Sequence, residues 1–387
     1  MSQPILPYGR QTIDDDDIAA VSQALRGDFL TTGPTVGTFE AAFAEVVGAR
    51  HAVACSNGTA ALHLAMLALD VKPGEVVIVP SITFLATANC ALYVGADVVF
   101  ADVDPDSGLM SPATLADAIR RVGGRRLRAV LPVHLRGDVV DLPGLAALAA
   151  DAGAVLVEDA PHALGTTMTF GNVAETVGDG RHSAMATFSF HPVKTIATGE
   201  GGMVTTNDPV LAMRLRSLSS HGMVRPEGAD PWWYEMPEPG FNYRLPDILC
   251  ALGLSQLKKL PQFAARRRAL AALYAKALVP LAPVVRAAQK PAWSDPVLHL
   301  MTVLIDFEAA GRTRRQVVDT LKAHGIGSQV HYIPVHRQPY YRDLYGSTDL
   351  PGADAWYERC LSLPLYPGMQ DDDVARVVTA LRVALGR

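Results

Sequence analysis

The sequence predicts an α/β protein: a large, mostly parallel sheet covered by helices on both faces, followed by a smaller α/β domain at the C-terminus. From Ala52 to about Asn207, short apolar β-branched runs alternate with helical stretches. That rhythm belongs to a sheet whose crossover helices bury both of its faces. The polar residues of interest fall just after those runs, at the strand ends where such sheets bind ligands. The chain, at 387 residues, is also too long for one simple core. The boundary is placed after residue 250, giving a large domain over 1–250 and a small one over 251–387 that includes the connecting helix.

Asp14 to Leu25 reads as a short helix with acidic residues in its first turn, where the helix dipole favours them. Gly37 to Val47 reads as a second helix. The strand candidates of the sheet are His51–Cys55, Glu75–Val79, Asp97–Ala101, Arg128–Val133, Ala154–Val157, Ala184–Phe188 and Gly202–Thr206. Helices fit between them at Thr59–Leu69, Ala86–Leu92, Pro112–Arg121 and Leu142–Asp151. One long helical pattern from Asp247 to Arg268 leads out of the large domain. A strand at Val303–Phe307 and helices at Arg312–His324 and Asp371–Leu385 make up the smaller one.

Composition narrows the function classes. Apolar residues at 49% and charged residues at 19% argue against disorder. A net charge of -5 and no basic stripe interleaved with aromatics argue against nucleic acid as a partner. Cys55, Cys90, Cys250 and Cys360 are scattered, with no C-x-x-C pair. They read as free thiols in a reducing cytoplasm rather than as a disulfide framework or a zinc site. Met1 to Asp17 lacks an apolar signal region, and no apolar run approaches the roughly 18 residues of a membrane span. A cytoplasmic protein is expected. His162, His191 and His331 lack metal-ligand spacing, so no metal is expected. No Walker loop, G-x-G-x-x-G turn or G-x-S-x-G elbow is present, which disfavours NTPase, dinucleotide-oxidoreductase and serine-hydrolase chemistry.

Three segments carry candidate chemistry. Lys194 is one of only seven lysines and lies between two strands in Phe188–Gly202, with no basic neighbour. A nucleophilic lysine must be partly desolvated, and Pro192, Val193 and Ile196 could do this. A lysine on a surface loop is the alternative, and context alone weighs the two equally. Ser56-Asn-Gly-Thr-Ala-Ala61 follows a strand and opens a helix, whose unpaired N–H groups and positive dipole end can bind a phosphate; Gly58 lets the backbone approach, and Ser56, Asn57 and Thr59 can add side-chain hydrogen bonds. Simple N-capping is the alternative and by far the commoner role of such a segment, so alone the signal is weak. Glu158 and Asp159 end an apolar strand, and one of them is expected to face a ligand. A buried carboxylate beside a cationic ring nitrogen gains about 4 kcal/mol at roughly 4 Å and an effective dielectric near 20. A helix N-cap ahead of Ala160-Pro161 is the alternative.

Together these segments closely resemble the sugar-nucleotide aminotransferases of the DegT/DnrJ/StrS type, a family of fold-type I enzymes dependent on pyridoxal 5′-phosphate (PLP). The resemblance runs from about Leu6 to Leu385. It is most specific in Phe188–Gly202, then in Glu158–Ala163, Ser56–Ala61, Pro80-Ser-Ile-Thr-Phe84 and Gly240-Phe-Asn-Tyr-Arg244. It implies that Lys194 carries the cofactor as a Schiff base and later moves the proton. It also implies that Asp159 pairs with the pyridine nitrogen, that Phe84 stacks on the ring, and that Gly58, Thr59 and Ser189 hold the phosphate. Asn242 would reach that phosphate from the second subunit of a homodimer with shared active sites. His162 stands where most relatives have Gln, beside the cofactor's phenolic oxygen.

Within the family, Leu6–Arg10, Glu158–Gly165, Trp233–Met236, Gly240–Arg244 and His331–His336 look most like the 4-aminotransferases of pseudaminic acid biosynthesis. Pro161 and Arg136 depart from the commonest family residues. The resemblance thus implies a ping-pong transfer from L-glutamate to C4 of a UDP-linked 2-acetamido-2,6-dideoxy-4-keto-hexose. By the same analogy, Tyr8, Phe29, Tyr243, Arg244, His331 and Tyr332 are candidates for holding sugar or diphosphate. A dTDP- or GDP-linked 4-keto-sugar is the competing substrate. A PLP-binding regulatory protein without turnover is the competing class, disfavoured by the lack of a DNA-binding module or basic patch.

Overall fold

The computed structural model describes residues 5–387. The chain opens with α1 (Asp15–Leu25) and α2 (Pro34–Val47). The Asp14 side chain accepts the Asp16 and Asp17 N–H groups and so caps α1. The main run follows: β1 (His51–Cys55), α3 (Gly58–Ala68), β2 (Val76–Pro80), α4 (Leu85–Tyr93), β3 (Asp97–Ala101), α5 (Pro112–Arg121), β4 (Leu127–Val130), α6 (Leu142–Asp151) and β5 (Val155–Asp159). A short hairpin of β6 (Thr167–Phe170) and β7 (Val173–Thr176) precedes β8 (Met185–Ser189), β9 (Gly202–Thr206) and α7 (Pro209–Ser219).

The large sheet has the order β1-β9-β8-β5-β4-β2-β3. Its β3, β2, β4, β5 and β8 pair in parallel, and β9 runs antiparallel to both neighbours. Buried Val, Ile, Leu and Ala residues fill both faces of its central strands, as expected where helices cover both sides. The parallel strands all point their carboxyl ends toward one edge, which places Ser81, Asp159 and Ser189 on the same side of the sheet.

The second half begins with α8 (Asp247–Lys258) and α9 (Leu260–Ala277). The single long helix expected over Asp247–Arg268 is therefore two helices, and the second runs past Arg268. Pro261 lies in the first turn of α9, where its missing N–H costs nothing, so the break falls just before it. The chain continues through β10 (Val285–Ala287), β11 (Ser294–Asp295), β12 (Met301–Ile305), α10 (Arg314–Ala323), α11 (Pro339–Tyr345), α12 (Pro351–Arg359), β13 (Cys360–Leu363) and α13 (Asp371–Ala384). Strands β10, β12 and β13 form an antiparallel sheet. A second apolar core gathers Leu270, Tyr274, Val303, Leu321, Leu363 and Leu381 around it. Strand β11 joins the β6–β7 hairpin and ties the two halves together.

The other expected elements lie within a few residues of the observed ones. The strand expected over Arg128–Val133 stops at Val130, ahead of Pro132, which has no N–H for a ladder. All four cysteines are buried and unpaired with one another. No helix among the described residues is long and apolar enough to cross a membrane. No cluster of three or more metal-ligating side chains occurs among them.

Candidate active site

A cavity of about 1220 Å³ opens at the carboxyl ends of the parallel strands. Lys194 and Asp159 both line it, together with Gly58, Thr59, Phe84 and Ser189. Lys194 lies in the loop between β8 and β9, where its backbone N–H donates to the His191 carbonyl at 2.8 Å. The following residues, Thr195 to Thr198, are buried and anchor the loop. The lysine is half-buried and faces the cavity rather than bulk solvent, which removes the surface-loop alternative. Burial lowers its ammonium pKa from 10.5 to about 8, against the opposing pull of the Asp159 charge. About one amine in ten is then neutral at pH 7, enough to make Lys194 a usable nucleophile.

Asp159 ends β5 and is only 5% exposed. The residues after it form turns and no helix, so the N-cap alternative falls. Thr87 Oγ1 donates to Asp159 Oδ2 at 2.5 Å. Burial pushes the Asp159 carboxyl up, while the Thr87 bond and the Lys194 charge pull it down. Glu158 points to the other face of the strand, as the two-residue period requires. There it meets His134 Nε2 at 2.8 Å and accepts from Ser183 Oγ at 2.5 Å. Of the two carboxylates, Asp159 is the one at the cavity.

The start of α3 forms the opposite wall. Asn57 is its N-cap and accepts the Ala60 N–H at 2.8 Å, so capping does occur here. It leaves the first-turn amides of Gly58 and Thr59 without helical acceptors. A Cβ on Gly58 would come within 2.8 Å of Ser189 Cβ. The glycine lets α3 and the end of β8 approach closely enough to form one anion cradle.

Phe84 is the N-cap of α4 and keeps 58% of its surface exposed at the cavity. Its ring centroid is 6.3 Å from that of Tyr332. His162 receives the Arg136 N–H on Nδ1 at 3.3 Å, so its proton sits on Nε2, which meets the Tyr332 hydroxyl at 3.3 Å. The His162 ring lies 4.5 Å from the His299 ring. Burial holds both imidazoles well below their usual range, and pushes His331 down to about 3. These histidines stay neutral at physiological pH. Arg136, with φ at 65°, is locked by a buried ion pair to Asp138 at 2.5 Å.

Tyr8, Tyr243, His331 and Tyr332 also line the cavity. Phe29 and Arg244 are not brought to the cavity of their own chain: Phe29 is exposed, and Arg244 donates to Ser220 Oγ at 3.1 Å. Asn242 stands exposed, its backbone bridging Ser220. Thr83, Thr87 and His63 line the cavity although nothing in the sequence singled them out. Thr87 lies three residues after Phe84, on the adjoining face of the same helical turn, and that spacing was the one usable signal.

Residues 11–382 match the DegT/DnrJ/EryC1/StrS aminotransferase family. The chain belongs to that family. It is similar to the spore coat polysaccharide biosynthesis protein SpsC of Bacillus subtilis, with 40% identity over 97% of this chain and 96% of the relative. Among solved structures it resembles the Helicobacter pylori aminotransferase PseC, involved in the biosynthesis of pseudoaminic acid. The TM-score is 0.89 at 28% identity, covering 99% of each chain. The PLP-form of the putative sugar aminotransferase Spr1654 of Streptococcus pneumoniae superposes with a TM-score of 0.88 at 27% identity, over 99% of each chain. The same protein is also known in a PMP-form.

Membership makes this chain a sugar aminotransferase of fold-type I, dependent on PLP. The cavity fits that cofactor by its own chemistry. It offers a lysine of lowered pKa, a buried carboxylate, an exposed aromatic face and a glycine-lined anion cradle.

Proposed function

We propose that this enzyme moves an amino group from L-glutamate to C4 of a UDP-linked 2-acetamido-2,6-dideoxy-4-keto-hexose, in a pathway of the pseudaminic acid type. It does so as a cytoplasmic homodimer with shared active sites, in two half-reactions of the ping-pong kind. The placement of Lys194 and Asp159 on one large cavity carries this reading. Single small-molecule pockets run to about 1,000 Å³; a cavity of 1220 Å³ has room for the cofactor and a second ligand. The likeness to PseC supports the choice of sugar.

PLP, when bound, supplies the electron sink for the amino acid and amino sugar carbanions. The protein's own groups do the rest. Gly58 and Thr59 N–H groups and the Ser189 hydroxyl would hold the phosphate, and Asn242 of a second subunit would complete that cradle. Phe84 would cover one face of the ring. Asp159, pushed toward its neutral form by burial but favoured as an anion by the Thr87 hydrogen bond and the Lys194 charge, would hold the proton on the ring nitrogen. Neutral His162 presents its Nε2–H beside Tyr332, a donor pair suited to the cofactor's phenolic oxygen. Lys194 takes the proton from the Cα of glutamate in the first half-reaction and delivers one to sugar C4 in the second. Burial favours its neutral amine against the pull of the Asp159 charge.

The test is amination assayed with purified enzyme, PLP and L-glutamate, reading 2-oxoglutarate and amino-sugar product. The UDP-linked N-acetylated 4-keto-sugar is offered beside dTDP- and GDP-linked 4-keto-6-deoxy sugars. Preferred turnover of the UDP substrate is expected. Preference for another nucleotide, or no turnover of the UDP-linked sugar, would overturn the substrate.

A further inference from the structure

The carboxylate facing the cavity is not held by the sheet alone. Thr87 Oγ1 donates to Asp159 Oδ2 at 2.5 Å, and Thr83 Oγ1 lies 2.7 Å from Thr87 Oγ1. Both threonines are buried, Thr87 completely. An ionised carboxylate only accepts, so the single Thr87 proton is committed to it, and the Thr83 hydroxyl must be the donor to Thr87. Two aligned O–H dipoles then end on Oδ2 and leave Oδ1 for the ring nitrogen. Both hydroxyls come from the segment that also positions Phe84, at the N-terminus of α4.

We propose that Thr87, backed by Thr83, is a positioning residue that fixes the orientation of Asp159 and keeps its carboxylate ionised for the cofactor nitrogen. This rests on the cavity being the PLP site. One turn of α4 thereby couples two functions: the ring that stacks on the cofactor and the hydroxyl that orients its counter-ion. A buried carboxylate without such a donor would take up a proton and lose its hold on a pyridinium.

The groups facing Asp159 are few. Lys194 reaches it from the β8–β9 loop and His134 from the segment after β4, and both favour its anion. Cys90 of α4 and Tyr332 are neutral, their own pKa values raised by burial and by the Asp159 charge. His134 is already engaged with Glu158. Thr87 is the strongest of the favourable influences on the Asp159 anion and, among the described residues, its one direct side-chain hydrogen bond.

The experiment is PLP binding to the apoprotein by equilibrium dialysis across pH, with wild type, Thr87→Val, Thr87→Ser, Thr83→Val and Asp159→Asn compared. Asp159→Asn identifies the acid limb that belongs to Asp159, because that limb vanishes with the carboxyl group while the titration of the cofactor phosphate persists. Thr87→Val should move this limb up by about one pH unit, the worth of one charge-assisted hydrogen bond. Thr87→Ser should leave it in place, and Thr83→Val should move it by less than Thr87→Val. Equal loss of affinity at every pH in Thr87→Val, or an unmoved limb, would overturn the positioning role. So would a limb that survives Asp159→Asn. If Thr87→Val does not fold, the Thr83→Val shift decides alone. Failure of wild type to bind PLP at all would instead bring down the functional reading beneath it.

Discussion

Replacing Gly58 by alanine tests the anion cradle with a single methyl group. The new Cβ would sit 2.8 Å from Ser189 Cβ and 3.3 Å from Ser189 Oγ, inside any normal carbon contact. Dispersion minima between carbons lie at about 3.5–4.0 Å, so α3 and the end of β8 must part by about 1 Å. The Ser189 hydroxyl can turn away, but its Cβ is fixed to the backbone, so the strain falls on backbone. Opening the cradle by that amount weakens the charge-assisted bonds from the Gly58 and Thr59 amides, each worth about 1.5–3 kcal/mol. Losing the equivalent of one of them raises the PLP dissociation constant by about 10- to 100-fold. The assay is cofactor titration of the apoprotein, with thermal unfolding to confirm that each variant is folded. Ser189→Gly supplies the decisive control. It removes the offending Cβ, so Gly58→Ala should cost far less in that background than in the wild type. Additive losses in the double variant, or unchanged PLP affinity in folded Gly58→Ala, would refute the cradle.

The remaining predictions concern the two carboxylates, the lysine and the aromatic wall. Glu158→Gln should lower the melting temperature, since it weakens the buried contacts to His134 and Ser183 by about 1–3 kcal/mol, yet leave PLP affinity nearly intact. Asp159→Asn should do the reverse, and a shared pattern of loss would mean the two residues are not functionally separate. For Lys194, folding lowers the ammonium pKa to about 8 from 10.5, so the unfolded chain binds the extra proton across that window. The lysine's destabilising burial is full below about pH 8 and is relieved as the pH rises toward about 10.5. Denaturant unfolding of the apoprotein at about pH 7.5 and about pH 9.5 should show wild type gaining on Lys194→Met at the higher pH; a constant gap would contradict the lowered pKa. Phe84→Ala should weaken PLP binding by about 2- to 10-fold through lost stacking, measured by the same titration, while an unchanged constant would take Phe84 off the ring.

Much of this architecture could be read from the sequence because its signals are local. The apolar runs of β1, β3 and β9 are bounded as expected, since strands buried on both faces of a sheet are continuous in hydrophobicity whether their neighbours run parallel or antiparallel. The break between α8 and α9 escaped because a proline in a helix's first turn does not interrupt the apolar period on either side. The β6–β7–β11 sheet escaped because its strands are only two to four residues long and partly exposed, which leaves no core-facing alternation to detect. At the site, Asp159, Gly58 and Phe84 sit where strand ends and helix starts put them. Lys194 could not be judged from its neighbours, because the burial that lowers its pKa comes from tertiary contacts. The His162–Tyr332 contact joins residues 170 apart, and the Thr87–Asp159 bond joins residues 72 apart. No local pattern encodes either. Phe29 and Arg244 were carried by analogy alone, and one chain's cavity does not include them.

The central claim is that Lys194, and no other lysine of the seven, carries the cofactor. Borohydride reduction of the PLP-loaded enzyme, followed by proteolysis and mass spectrometry, reads this directly. The account predicts a single phosphopyridoxyl-modified peptide containing Lys194, absent when the enzyme is first treated with L-glutamate and absent in Lys194→Ala. Stable modification at another lysine, or none in a PLP-saturated wild type, would contradict it.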